Sequence, residues 1–297
     1  MNNPSHIAVL GPGGVGGLLA GLFARAGHRV TCLAGGETAA AIRDRGIRVR
    51  SAHFGDFTAA VEADTELREP VDALFVTVKA TAMPAALDRA PTPGDGLVVP
   101  LLNGVEHMDV LRERYDPAQV VASVIRVEST RVAPGEIEHG SPFCDLDLAS
   151  ATAPRERVEQ LAALLKDAGA TAAVQEDEAT ILWRKLSFLA CAALLTTRYA
   201  ATVGDVRTTY ADEMRALAAE AVATGRACGA EVAVEQVLRL FEMMPYETKS
   251  SMQRDAEAGR PLELDAIGGA LLRAAERHGV PVPVATRLVS SLRERHP

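Results

Sequence analysis

The chain has 297 residues, 48% hydrophobic and 24% charged, enough to bury a substantial core as two ordinary domains or one large one. Its formal net charge of −8 argues against a nucleic-acid partner, because phosphate-binding surfaces need clustered Lys and Arg. The longest apolar runs are broken by Arg, Asp or Glu well before the roughly 20 residues of a membrane span, and the N-terminus lacks the pattern of a secretory signal.

From His6 to about Ser150, short β-branched runs alternate with helical stretches, the order expected of a doubly wound parallel sheet. The strands expected are Ile7–Leu10, Arg29–Leu33, a weak Ile47–Arg50, Ala73–Val78, Leu97–Pro100 and Val120–Val124. The helices between them are Gly17–Ala26, Glu37–Asp44 and Met108–Arg114. Beyond Thr130, the turn at Ala133-Pro134-Gly135 leads into a strand through His139. Cys144–Leu148 reads as another, the two suggesting an antiparallel extension of the sheet. Arg155–Ala168 is a periodic helix closed by Gly169, and Val174–Glu178 reads as a last strand running into a solvated linker at Glu176-Asp177-Glu178. From Ala179 onward apolar residues recur every three or four positions, through Leu182–Leu195, Tyr210–Cys228, Val232–Met244, Glu263–His278 and Thr286–Arg293, and no strand is expected. The fold class is therefore α/β: a Rossmann-type sheet domain over residues 1–177, then an all-helical domain over 178–297.

Cys32, Cys144, Cys191 and Cys228 are scattered, form no C-x-x-C pair, and read as reduced structural thiols of a cytoplasmic protein. His107, His139 and His278 stand alone and read as surface or turn residues, so no metal site is expected.

Gly11, Gly13 and Gly16 form G-x-G-x-x-G directly between a strand and a helix, with Arg29–Leu33 as the second strand of a complete βαβ unit. The first glycine allows a tight turn, the second clears space for a pyrophosphate, and the third lets helix and strand approach. Backbone amides of Gly14, Val15 and Gly16 at the helix N-terminus then face the phosphates. At the ribose end the chain has Ala34-Gly35-Gly36. It carries neither the acid of an NAD site nor the Arg of an NADP site, although Glu37 follows and Arg43 or Arg45 lies on the next helix.

Further along, Val78-Lys79, Leu102-Asn103-Gly104, Trp183-Arg184-Lys185-Leu186, Ser250-Ser251-Met252, Glu263-Leu264-Asp265 and the late Gly279-Val280-Pro281 follow in order. With the glycine turn they make the chain resemble the ketopantoate reductase family from Ile7 to about Leu292. The resemblance implies NADPH-dependent reduction of a 2-oxo acid to a 2-hydroxy acid, in a cleft between the two domains, with NAD left open by the ribose end. It implies Lys185 as the catalytic lysine and Glu263 as the active-site glutamate. Asn103 is implied near the nicotinamide and substrate, Lys79 at the cofactor, and Ser251 at the substrate carboxylate. On the residues alone, Lys185 reads either as a proton donor to a developing alkoxide or as a lysine snorkelling from an amphipathic helix. Lys79 and Asn103 follow expected strands, where ligands sit in open α/β sheets.

The chain departs from the family pattern where Leu189, Ala193 and Gly268 replace asparagines, which points to a substrate more apolar or larger than ketopantoate. A 3-hydroxyacid dehydrogenase and a non-enzymatic NAD(P)-sensing regulator are the alternatives. No Gly-rich turn precedes Lys185 as the first requires, and retention of Lys185 with Glu263 speaks against the second. The small-molecule substrate is the expected partner, with no nucleic acid and no membrane; a homodimer is compatible with an apolar helical domain.

Overall fold

A computed structural model describes residues 4–296. By their contacts these form two units. One runs to Leu102 and resumes over His107–Glu178; the other takes Asn103–Glu106 and the described residues from Ala179 onward.

In the first unit the strands are β1 (His6–Leu10), β2 (Arg29–Leu33), β3 (Ile47–Ser51), β4 (Phe57–Ala59), β5 (Glu62–Asp64), β6 (Ala73–Val76) and β7 (Leu97–Pro100). After them come β8 (Ala122–Arg126), β9 (Ser129–Ala133), β10 (Glu136–His139), β11 (Asp145–Ala149) and β12 (Thr171–Val174). The helices are α1 (Gly14–Arg25), α2 (Gly36–Arg45), α3 (Met83–Leu87), α4 (His107–Arg114) and α5 (Arg155–Asp167). A five-stranded parallel sheet has the order β5-β2-β1-β6-β7. β6 and β7 are apolar along their length and β1 from Ile7 onward, as strands covered on both faces must be.

Four expectations about the strands and the linker need correction. The weak strand at Ile47 leaves this sheet and joins a second one, β4-β3-β10-β9. The segment through His139 goes there too, so it does not extend the first sheet. The antiparallel pair β8 and β11 does continue outward from β7, through a parallel bridge between Val98 and Val120. The last strand is Thr171–Val174, because Gly169 at φ +95° turns the chain immediately after α5. Glu178 is no solvated linker residue. Its side chain is only 13% exposed and accepts from Arg112 Nη2 at 2.6 and 2.7 Å and from the Ala151 amide at 2.8 Å.

The two sheets meet across α1, and glycines make that possible. A Cβ at Gly14 would strike the carbonyl of Ser129 on β9. One at Gly17 would strike Ile137 of β10, and one at Gly21 would press on Val49 Cγ2 at 3.0 Å and Phe57 Cε2 at 3.3 Å. Spacings of three and four put these positions on one helical face. The rest of the surface of α1 buries Leu18, Leu19, Leu22 and Phe23.

The second unit is helical, with no strand among its described residues. It contains α6 (Glu178–Tyr199, whose first residue is grouped with the sheets), α7 (Val203–Thr208), α8 (Ala211–Ala227), α9 (Val234–Met243) and α10 (Ser251–Glu257). A π-turn at Asp265–Gly269 leads into α11 (Ala270–Arg277), and α12 (Pro283–Arg295) follows. By length and mean hydropathy of 1.4, α6 alone among the described helices could cross a membrane; 67% of its apolar window is buried, as in a core helix. Leu186, Ala190, Cys191 and Leu194 of α6 are at most 1% exposed. Sequence periodicity misses α7 and α10, which are short. Local capping starts α7, with Thr202 Oγ1 accepting from the Asp205 amide at 3.1 Å and Asp205 accepting in return from the Thr202 amide at 2.9 Å.

The cysteines are free thiols. Burial raises Cys32 and Cys144 to about 12, and Cys191, fully buried, is raised as well.

Two histidines expected at the surface are buried: His107 and His139, each 5% exposed. His139 is held by a polar network across the β3–β10 pair. Its Nδ1 lies 2.8 Å from Ser51 Oγ, and its Nε2 lies 3.1 Å from the Phe143 carbonyl. The carbonyl demands a proton on Nε2, so Nδ1 accepts from the Ser51 hydroxyl and the ring is neutral. Burial holds its pKa below the ordinary 6.5, with nearby His53 adding to the effect. The unfolded state therefore takes up this proton at the higher pH. The contribution of His139 to stability is expected to be full above about 6.5 and to fade as pH falls through its lowered native value. Melting curves between neutral and mildly acid pH check this: the gap between the natural chain and His139→Gln should narrow on acidification, and a constant gap would contradict it.

Candidate active site

β1 ends at Leu10 and α1 begins at Gly14, leaving a three-residue turn. Gly11 has φ +88°, and a Cβ there would press on Val78 Cγ1 at 2.5 Å. A Cβ at Gly16 would strike Thr77 Oγ1 and the Gly11 carbonyl, so this glycine lets helix, turn and β6 come together. Gly13 differs: the nearest atom to its would-be Cβ is the Gly11 carbonyl oxygen at 3.9 Å. The space beside Gly13 is open, and a side chain would fill it. The N-terminus of α1 has no side-chain cap. The amides of Gly14, Val15 and Gly16 stand in the first turn, where an α-helix supplies no internal acceptor. These residues fit the pyrophosphate of a dinucleotide.

Sequence reading missed Thr77. It leaves the β6 ladder expected to run to Val78, and its Oγ1 lies 2.7 Å from the Gly11 carbonyl and 3.1 Å from that of Leu10. This contact seats Val78 against the glycine turn and brings the exposed Lys79 beside it.

At the ribose end, Gly35 and Gly36 are exposed, and a Cβ at either would meet nothing within 4 Å. Gly35 has φ −62° and ψ 152°, a conformation any residue adopts. The neighbouring guanidinium groups are engaged with carbonyls: Arg43 Nη1 donates to Ala63 at 3.1 Å, and Arg89 Nη1 to Thr65 at 3.0 Å and Ala34 at 3.3 Å.

In the helical unit, Asn103 and Glu263 come together, with Asn103 Nδ2 donating to Glu263 Oε2 at 3.0 Å. Gly104, at φ +89°, lets the Asn103 loop lie on the carbonyl of Ala266, where a Cβ would collide. The carboxylate thus stands just before the π-turn, a distortion frequent at functional sites. Lys185 is half-buried on α6 between the buried Trp183 and Leu186, and Leu189, half-buried, follows one turn later. Ala193 is fully buried, and a Cβ on Gly268 would meet Val289 Cγ2 at 2.6 Å, so these two positions belong to the helical core. Of the three departures from the family pattern, Leu189 is the one that keeps exposed surface. Ser251 is the exposed first residue of α10, capped by Ser250, whose Oγ accepts from the Gln253 amide at 3.1 Å. Among the described residues no group of three or more His, Cys, Asp or Glu could hold a metal ion.

The sheet order and the glycine turn define a Rossmann-type dinucleotide-binding protein with a helical second unit. The model of the family described as ketopantoate reductase PanE/ApbA matches residues 7–144, and that of its C-terminal domain matches residues 178–296. The chain belongs to the ketopantoate reductase family. It is 32% identical to the 2-dehydropantoate 2-reductase of Mycobacterium tuberculosis over 96% of each chain, and 30% identical to that of Caulobacter vibrioides over 97% of this chain and 98% of the other. The crystal structure of a PanE/ApbA family ketopantoate reductase from Ralstonia eutropha superposes with a TM-score of 0.88 at 28% identity, covering 98% of both chains.

The glycines divide into those whose missing side chain serves packing and Gly13, whose missing side chain leaves open space. Gly14→Ala, driven against the Ser129 backbone, is expected to cost about 1–3 kcal/mol of stability. Gly13→Ala should leave the melting temperature nearly unchanged yet weaken nucleotide binding by about tenfold or more, since it intrudes where the pyrophosphate would lie. Melting curves with nucleotide titrations check the pair, and the reverse assignment of effects would refute it.

Proposed function

We propose that this chain is an NADPH-dependent 2-oxo acid reductase, acting on 2-dehydropantoate or a more apolar 2-oxo acid. The observation that carries the reading is the Asn103–Glu263 hydrogen bond, which joins two family motifs 160 residues apart. The amides of Gly14, Val15 and Gly16, the opening at Gly13 and the tight turn at Gly11 hold the pyrophosphate, with Lys79 beside them. When bound, the dinucleotide supplies the hydride.

The helical unit supplies the rest. Hydride arriving at a ketone carbon leaves negative charge on oxygen, and the Lys185 ammonium stabilises that oxygen and gives it a proton. Glu263, steadied by Asn103, holds the lysine or a substrate hydroxyl, and Ser251 meets the carboxylate. Leu189 lies one helical turn from Lys185 where the family pattern has an amide, so a polar substrate tail would lose a partner while an apolar one would not. At the ribose end Gly35 supplies no side chain, and Arg43 and Arg89 each use Nη1 on backbone carbonyls, so the preference for NADPH over NADH is modest.

Lys185→Ala is expected to cut turnover about 100- to 10,000-fold with nucleotide affinity nearly intact; equal losses in both would contradict the assignment. Steady-state rates with 2-dehydropantoate and a panel of aliphatic and aromatic 2-oxo acids test the substrate, and a clear preference for 2-dehydropantoate would sink the apolar reading.

Gly35→Arg fits the backbone and its open surroundings. It should raise the preference for NADPH over NADH by about tenfold, the worth of one charge-assisted contact. Binding titrations with both nucleotides would show it, and an unchanged ratio would place the 2′-phosphate elsewhere.

A further inference from the structure

We propose that Arg273 is a positioning residue for this chemistry, its guanidinium clamping the loop that carries Asn103 to the turn that follows Glu263; the proposal rests on the reductase roles assigned to those two residues. Arg273 lies on α11 and touches both segments. Its Nε and Nη2 donate as a fork to Glu106, at 2.9 Å to Oε1 and 2.6 Å to Oε2. Glu106 is three residues after Asn103. Arg273 Nη1 and Nη2 donate to Asp265 Oδ1 and Oδ2 at 3.0 and 3.1 Å, and Nη2 also reaches the Asp265 carbonyl at 3.2 Å. Asp265 is two residues after Glu263. One planar group therefore ties together the two ends of the Asn103–Glu263 hydrogen bond.

The carbonyl contact has a further effect. The Asp265 carbonyl accepts from the Ala270 amide, the wide bond that makes the π-turn. Arg273 thus holds both the side chain and the carbonyl of the residue that opens the distortion. Arg293 Nη2 reaches Asp265 Oδ1 at 3.2 Å and completes an alternating chain of two acids and two guanidiniums. These charges hold Asp265 below the usual carboxylate range, Arg273 first by its hydrogen bond.

Magnitudes separate geometry from stability. The Arg273 side chain is 41% exposed, Glu106 29% and Asp265 66%, and pairs as open as these add little to folding. A displacement of about 1 Å in a catalytic group, by contrast, costs up to roughly a hundredfold in rate. Removing the clamp should therefore spare the fold and harm turnover. Lysine cannot replace the fork, since a point charge does not span two carboxylates.

The test uses the full chain. It has three asparagines, Asn2, Asn3 and Asn103, so 15N-asparagine labelling gives a sparse amide spectrum in which Asn103→Asp identifies the Asn103 side chain. In Arg273→Ala, and in Glu106→Gln should the first variant fold poorly, the Asn103 side-chain amide is expected to shift or broaden. Turnover should fall roughly tenfold to a hundredfold. Nucleotide affinity should stay within about twofold, because the glycine turn is untouched. Arg273→Lys should fall as far as Arg273→Ala, and millimolar guanidinium should restore part of the activity of Arg273→Ala. An unmoved Asn103 amide in the variants, or turnover and nucleotide affinity falling together, overturns the clamp. A natural chain that reduces no 2-oxo acid would instead defeat the reductase reading, while the amide spectrum would still decide on the clamp.

Discussion

The sheet unit depends on one constraint: α1 must lie against two sheets at once, closely enough that its contact positions hold no side chains. Gly16 brings the helix onto β1 and Thr77, while Gly14, Gly17 and Gly21 bring the second sheet onto its other side. The cost is a helix with four glycines, each weakening it by roughly 1 kcal/mol relative to alanine. Tertiary packing offsets this, since Leu18, Leu19, Leu22 and Phe23 are at most 1% exposed. The same wedge fixes where the N-terminus of α1 points, so the nucleotide turn inherits its geometry from packing on both sides.

The helical unit works by a different rule. Its candidate chemistry is assembled from residues distant in sequence, and polar contacts hold it in place. Asn103 reaches Glu263 from a half-buried loop, and a small distortion of the helix register lies directly after the carboxylate. Buried apolar surface keeps α6 in place and with it the height of Lys185. The candidate residues thus divide between a helix packed into the core and a loop that depends on hydrogen bonds.

Local patterns made the nucleotide turn and the long helices legible in the sequence. Gly11, Gly13 and Gly16 show by their spacing between a strand and a helix, even though Gly11 and Gly16 pack against Val78 and Thr77, and α5, α6 and α8 advertise themselves by apolar spacing. What failed to show depends on distant partners. Ile47–Arg50 reads as one more strand of the parallel sheet because nothing nearby says that it pairs with Glu136–His139 instead. His139 reads as a surface residue because Ser51, which satisfies it, lies 88 positions away. Gly268 reads as a lost polar contact, while the structure turns that position onto Val289. The family motifs named Asn103 and Glu263 separately, and only coordinates join them.

Asn103–Glu106 groups with the helices although it lies within the sequence of the sheet unit. Its partners Glu263 and Arg273 follow 160 and 167 residues later. At the usual pace of synthesis the loop waits roughly eight to thirty seconds for them to be made, far longer than a helix or hairpin takes to form. Strands on either side can settle in that interval, while the loop stays without the contacts that shape it. A nascent chain or a fragment ending near residue 178 would carry Asn103 in full and lack the partners that fix it, so the loop takes its shape only once α11 is translated.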